Sequence, residues 1–182
     1  MCRYGTYSYK PHYACFSCKK TFKRRLLIDI DRDSYYHSKT ERNPFKCPDC
    51  EDLMANMGLD FESPKKSDIK AWNHIKNLFE SGITYHSCGC SGPGYIPKNK
   101  EKLMEFLNER KEEYVLHRRF WSNRIEPQNH SEINEDWHQN HQFLFKVPKE
   151  LRTDPRINSK EAIAYWTDKI EELEAKIQAL GS

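Results

Sequence analysis

Ile163, Trp166, Ile170, Leu173, Ile177 and Leu180 recur at intervals of 3, 4, 3, 4 and 3 residues, the most regular apolar pattern in the chain. An α-helix brings such positions onto one seam, so the spacing predicts a helix over 159–180. Asn158 stands where an N-cap belongs, and Glu161 at the third helical position gives a capping-box pattern. Leu103, Leu107, Tyr114 and Trp121 repeat the spacing less cleanly, with Arg110 and His117 at the intermediate steps. They predict a helix over 99–121 capped by Asn99. A further helix is expected over 67–81, with Ser67 as N-cap. Ile69, Trp72, Ile75 or Lys76, and Phe79 form its apolar side, and Gly82 its C-cap glycine.

Upstream the pattern changes to short strands and turns, rich in Tyr4, Tyr7, Tyr9, Tyr13, Phe16 and Phe22. Thr21–Ile30 and Leu53–Phe61 are the strand candidates, the second with Gly58 as a bulge, and Ile83–His86 is a third. Residues 122–158 are polar, rich in Asn, His and Gln and interrupted by Pro127, Pro148 and Pro155. They read as a linker or extended arm, anchored by Trp137 and Phe143–Phe145. The expected organisation is an α+β chain. Residues 1–98 form a small antiparallel sheet with an added helix. A helix over 99–121, the arm over 122–158 and a C-terminal amphipathic helix over 159–182 follow.

The composition, 37% apolar and 31% charged, is lean for a compact enzyme, whereas 13% aromatic residues is too many for a disordered chain. The longer aliphatic runs, such as Leu26–Ile28, fall far short of a membrane span. The first thirty residues lack the apolar core of a signal peptide, so a cytoplasmic protein is expected. The net charge of +3 is unevenly spread, because residues 1–50 carry eleven Lys and Arg against five Asp and Glu.

Seven cysteines, an odd number in a chain expected to stay reduced, point to metal rather than to a disulfide framework. Cys15-x-x-Cys18 and Cys47-x-x-Cys50 are separated by 28 residues. Each pair can aim two thiolates from one tight turn at a shared ion, and four thiolates match the ligand set of structural Zn2+. His86, Cys88 and Cys90, joined by Cys2 or His12, are candidates for a second site. The alternatives for that loop are buried structural thiols or a reactive thiol.

Cys15-Phe16-Ser17-Cys18-Lys19-Lys20-Thr21-Phe22 and Cys47-Pro48-Asp49-Cys50 resemble the two knuckles of the zinc-ribbon class over about residues 12–60. The resemblance implies a zinc-stapled antiparallel sheet, often used to touch nucleic acid or protein and seldom catalytic. Asn56–Phe61 and Cys88-Gly89-Cys90 extend the likeness to bacterial zinc-ribbon proteins of unassigned function, and that likeness implies no activity.

Lys19, Lys20, Lys23, Arg24 and Arg25 cluster beside Tyr13, Phe16 and Phe22, a combination suited to phosphate contacts and base stacking. Arg3, Lys10 and Lys46 could extend the patch. The other reading is a solvated strand face whose aromatics fill the small core. Asp29-x-Asp31-x-Asp33 opens like a calcium loop, but Ser34 and Thr40 occupy the positions that need Gly and Glu. His130, His138 and His141 read as solvated loop histidines. The chain lacks a serine elbow, a phosphate loop and a zinc-deaminase signature, which argues against an enzyme.

The expected function is therefore non-catalytic binding of RNA or a ribonucleoprotein surface, the ribosome included, through the basic ribbon. One alternative is a protein-interaction adaptor with purely structural zinc, docking through 159–182. The other is a metal or thiol enzyme built on the His86, Cys88 and Cys90 loop.

Overall fold

A computed structural model describes residues 10–23, 45–87, 92–152 and 157–181. The protein is α+β, as the sequence predicts, and divides into two compact units, Met1–Leu103 and Met104–Ser182.

In the first unit, β1 (His12–Cys15), β2 (Lys20–Lys23) and β3 (Ala55–Gly58) form an antiparallel sheet in the order β2-β1-β3. The β1–β2 hairpin is in register from His12 opposite Lys23 to Cys15 opposite Lys20. Against β3, consecutive residues His12 and Tyr13 pair with Gly58 and Asn56. Met57 is thus the extra residue of a bulge, next to the glycine where one was expected. Gly58 has φ +94°, and a Cβ there would lie 2.5 Å from the carbonyl carbon and oxygen of Tyr85. Only glycine lets these two backbones meet. The expected Ile83–His86 strand is instead an irregular segment held by two hydrogen bonds, from Tyr85 N to Met57 O of β3 and from Asp60 N, two residues past β3, to Tyr85 O. Of the Thr21–Ile30 candidate, β2 covers the beginning, and residues from 24 onward lie outside the described chain.

Helix α1 (Ile69–Glu80) packs Trp72 and Ile75 with Ala14, Ala55, Met57 and Phe61 into a buried cluster. Its N-cap is Asp68 rather than Ser67: the Asp68 carboxylate accepts the Ala71 amide at 3.0 Å. Gly82, at φ +82°, ends the helix as expected. Gly82 N donates to Phe79 O and Ile83 N to Leu78 O, the paired bonds of a Schellman motif.

Helix α2 (Lys100–Asn123) starts at Asn99, whose side chain accepts the Lys102 amide. In the second unit, residues 122–158 are not an extended arm. They contain α3 (His130–Leu144) and a short 3-10 turn at Lys149–Leu151. The composition misleads because α3 has few apolar residues and fully buries only Ile133 and Leu144. Its N-cap signal is nonetheless complete. Asn129 Oδ1 accepts the Glu132 amide, and the Glu132 carboxylate reaches back to Gln128 N and Asn129 Nδ2.

Helix α4 (Ser159–Gly181) buries Trp166, Ile170, Leu173 and Leu180, four of the six predicted seam positions, and leaves Ile163 and Ile177 half-buried. Asn158 caps it through the Lys160 amide. Trp166 and Ala162 share a buried cluster with Trp121, Leu144, Val147 and Ile157. Arg124 ties this unit together: it bonds the Asp136 carboxylate at 2.6 Å and the Ile157 carbonyl at 3.0 Å. The Arg124 and Asp136 side chains are only 5% and 12% exposed.

Candidate metal centre

Two turns of the same design flank the sheet. The first knuckle, Cys15 to Cys18, joins β1 to β2. The second, Cys47 to Cys50, is closed by Met54 N bonding Phe45 O, Cys47 N bonding Asp52 O and a bridge between Lys46 and Leu53. In each turn the residue after the second cysteine adopts positive φ, Lys19 at 53° and Glu51 at 63°. That left-handed residue reverses the chain so that amides converge on the sulfurs. Cys18 N lies 3.4 Å from Cys15 Sγ. The Asp49 and Cys50 amides donate to Cys47, and the Asp52 amide donates to Cys50.

All four sulfurs lie within 4.8 Å of one another. Cys15 Sγ is 3.5 Å from Cys50 Sγ, and Cys47 Sγ is 4.0 Å from Cys18 Sγ. A regular tetrahedron with metal–sulfur bonds of about 2.3 Å requires edges of about 3.8 Å. A disulfide requires about 2.05 Å. The cysteines are free thiols spaced for a metal ion.

Their ionisation agrees with that spacing. Burial pushes Cys47 up, but the Asp49 and Cys50 amides and the neighbouring thiols of Cys15 and Cys50 outweigh it and bring it to about 7. For Cys50 the Asp52 amide pulls down, but Cys18, desolvation, Cys15 and Cys47 drive it far above the ordinary thiol range. Cys18 is favoured by Cys50, yet desolvation and the other two cysteines raise it overall. One proton leaves this cluster readily and the next do not, because like charges this close repel. A bound cation is what allows four thiolates here, and with four protein ligands it has no open position for a substrate.

Cys15 and Cys47 are buried, Cys18 is half-buried and Cys50 is exposed. Met54 packs with the two buried cysteines, and Tyr13, Phe22 and Phe45 cover them. Lys20 forms an ion pair with Asp49 across the two knuckles at 2.5 Å, with both side chains well exposed.

The remaining predicted residues are less concentrated. His86 is exposed, and Cys88, Cys90 and Cys2 lie outside the described residues. His12, in β1, sits edge-on to Phe61 and is not among the clustered ligand residues. Among the described residues the four cysteines are the only group spaced to hold a metal. Of the basic cluster, Lys19 is half-buried and Lys20 and Lys23 are exposed, while Arg24 and Arg25 lie outside the described chain. The aromatics expected beside them are half-buried against the protein's own clusters: Tyr13 and Phe22 pack on the cysteines, and Phe16 packs on the α1 cluster. A sheet with so few aliphatic residues uses its aromatics internally. His130, His138 and His141 are exposed on α3, a helix rather than the expected loop.

No family model, curated protein or solved structure matches this chain. The zinc-ribbon likeness therefore rests on the site itself, four clustered cysteines beside a small antiparallel sheet. No helix among the described residues is long and apolar enough to cross a membrane.

Proposed function

We propose that the protein is a non-catalytic, zinc-stapled module of a reducing compartment that binds RNA or a ribonucleoprotein surface through the basic side of its ribbon. The observation that carries the structural role of the metal is the closed set of four cysteines, which leaves no ligand position for chemistry. Zinc is the choice because four thiolates in a tetrahedron suit it and because it adds no redox chemistry to a scaffold. Support for the RNA reading is electrostatic: Lys19 precedes β2, the exposed Lys20 and Lys23 are its end residues, Lys20 being paired with Asp49, and Arg24 and Arg25 follow directly in sequence. With Tyr13, Phe16 and Phe22 occupied internally, the contact would be to phosphates, with little base discrimination.

Two measurements test this reading. Elemental analysis of purified protein should give one zinc per chain, and Cys15→Ser should abolish it together with the ordered ribbon. Fluorescence anisotropy with a labelled single-stranded RNA should show log K falling with log salt at a slope of about −0.7 per phosphate contact. Replacing Lys23, Arg24 and Arg25 by Glu should flatten that slope. Absent or salt-independent binding refutes the RNA reading and leaves the metal reading standing. For the adaptor alternative, docking through 159–182, four of the six seam residues of α4 are already used within the chain, which leaves Ile163 and Ile177 as its half-buried apolar positions.

A further inference from the structure

The second unit carries an open groove between the C-terminal half of α2 and one face of α3, with a volume of about 680 Å³. Leu116, Phe120 and Ile125 supply its apolar surface. Leu116 is 55% exposed and Ile125 is 90% exposed. The position of Ile125 is held rather than frayed. Its neighbour Arg124 is bonded to Asp136 and to the Ile157 carbonyl, and its other neighbour, Glu126, accepts the Ser159 amide at 3.0 Å. A segment pinned on both sides thus presents Ile125 to solvent beside the exposed Leu116 of α2, on one continuous groove wall.

The polar rim supplies a sign. The groove is lined by four acidic side chains and two basic ones. Arg124 and Asp136 offset each other. Glu126, Glu132 and Glu135 accept hydrogen bonds from neutral donors, the Ser159 amide, Gln128 N with Asn129 Nδ2, and Gln139 Nε2, and so keep their charge. These three carboxylates against Arg119 set the local potential, Glu132 and Glu135 from the α3 wall. An excess of carboxylates repels a phosphate backbone and attracts Lys or Arg. The stripe from Leu116 to Asn123 runs about 10 Å along the helix axis, the reach of about three extended residues or two helical turns.

We propose that this groove docks a protein segment bearing an aliphatic or aromatic anchor flanked by Lys or Arg. The anchor covers Leu116, Phe120 and Ile125, and the basic neighbour lies against Glu132 and Glu135. The site is separate from the cysteine centre and independent of RNA binding by the ribbon.

Selection of a random 12-residue peptide display library on the zinc-loaded full chain tests the proposal. Enriched sequences are expected to pair an apolar residue with Lys or Arg within three positions. A synthetic peptide of that sequence should lose at least tenfold in affinity on Ile125→Asp and about threefold on Glu135→Lys, with the second loss recovered by a Lys→Glu peptide. Both positions are at the surface, and unchanged circular dichroism confirms that the variants fold. An acidic consensus, no enrichment, or affinity indifferent to both substitutions overturns the proposal. So does light scattering that shows a dimer dissociated by Ile125→Asp, which would make a second copy the occupant.

Discussion

Gly58→Ala tests the close backbone approach that seats the segment before Cys88. The new methyl group would sit 2.5 Å from the Tyr85 carbonyl carbon and oxygen and 2.6 Å from His86 N, all backbone atoms that cannot rotate away. The φ of +94° adds strain for an L-residue, about 1–2 kcal/mol. Relief requires moving the 83–87 segment, which breaks the bonds from Tyr85 N to Met57 O and from Asp60 N to Tyr85 O. Each contributes about 0.5–1.5 kcal/mol. The lower entropy of alanine in the unfolded chain returns about 0.4–1 kcal/mol. The net loss is about 1–4.6 kcal/mol, so amide exchange at Tyr85 and Asp60 should accelerate by about 5- to 2,000-fold. Protection at both amides within a factor of three of the parent protein would refute the reasoning.

Substitutions at three further places probe other parts of the fold. Arg124→Met leaves the nearly buried Asp136 carboxylate without its cation and should cost about 3–5 kcal/mol in urea unfolding. Adding Asp136→Leu should recover most of that loss. His117 is 5% exposed and stacks on Trp166 at 4.4 Å, with its Nδ1 buried and unpartnered. Burial lowers its pKa, against an opposing pull from Glu113, and Lys146 lowers it further. The unfolded chain therefore binds the proton more readily. The stability held above the ordinary histidine pKa, about 6.5, should fall as pH drops through that value and level off once the folded form protonates. His117→Phe should remove this dependence in thermal melts across pH 4–8. Lys19→Gly and Glu51→Gly relieve positive φ at both knuckles and should each change stability by about 0 to +1 kcal/mol in zinc-loaded protein. A clear loss on both would contradict the left-handed geometry.

The metal centre was legible because its ligands come as two local pairs. Cys-x-x-Cys places both sulfurs by turn geometry alone, and only the meeting of Cys18 with Cys47 across the chain had to be supposed. Asn99, Gly82 and the α4 seam were legible for the same reason, since each acts within one or two helical turns. Helix α3 was missed through reliance on apolar spacing, although Asn129 and Glu132 spell its start. The internal use of Tyr13, Phe16 and Phe22 was not legible, because an aromatic on a strand has the same sequence signature whether it covers a metal cluster or faces a ligand. The groove beside Ile125 could not be read either, since it exists only between two helices and beside an arginine whose partners are 12 and 33 residues away.

The placement of β1 at the centre of the sheet sets an order of assembly. The β1–β2 hairpin needs only its own turn, so Cys15 and Cys18 come together on the microsecond scale of hairpin closure. The pairing of β1 with β3 joins residues some forty positions apart and waits for a long loop to close. An ion binding here would be held first by one of two equally local pairs, and the other pair would join it in a unimolecular step. Beyond saturating capture, extra metal should not accelerate maturation of the ribbon, and shortening the chain between Cys18 and Cys47 should.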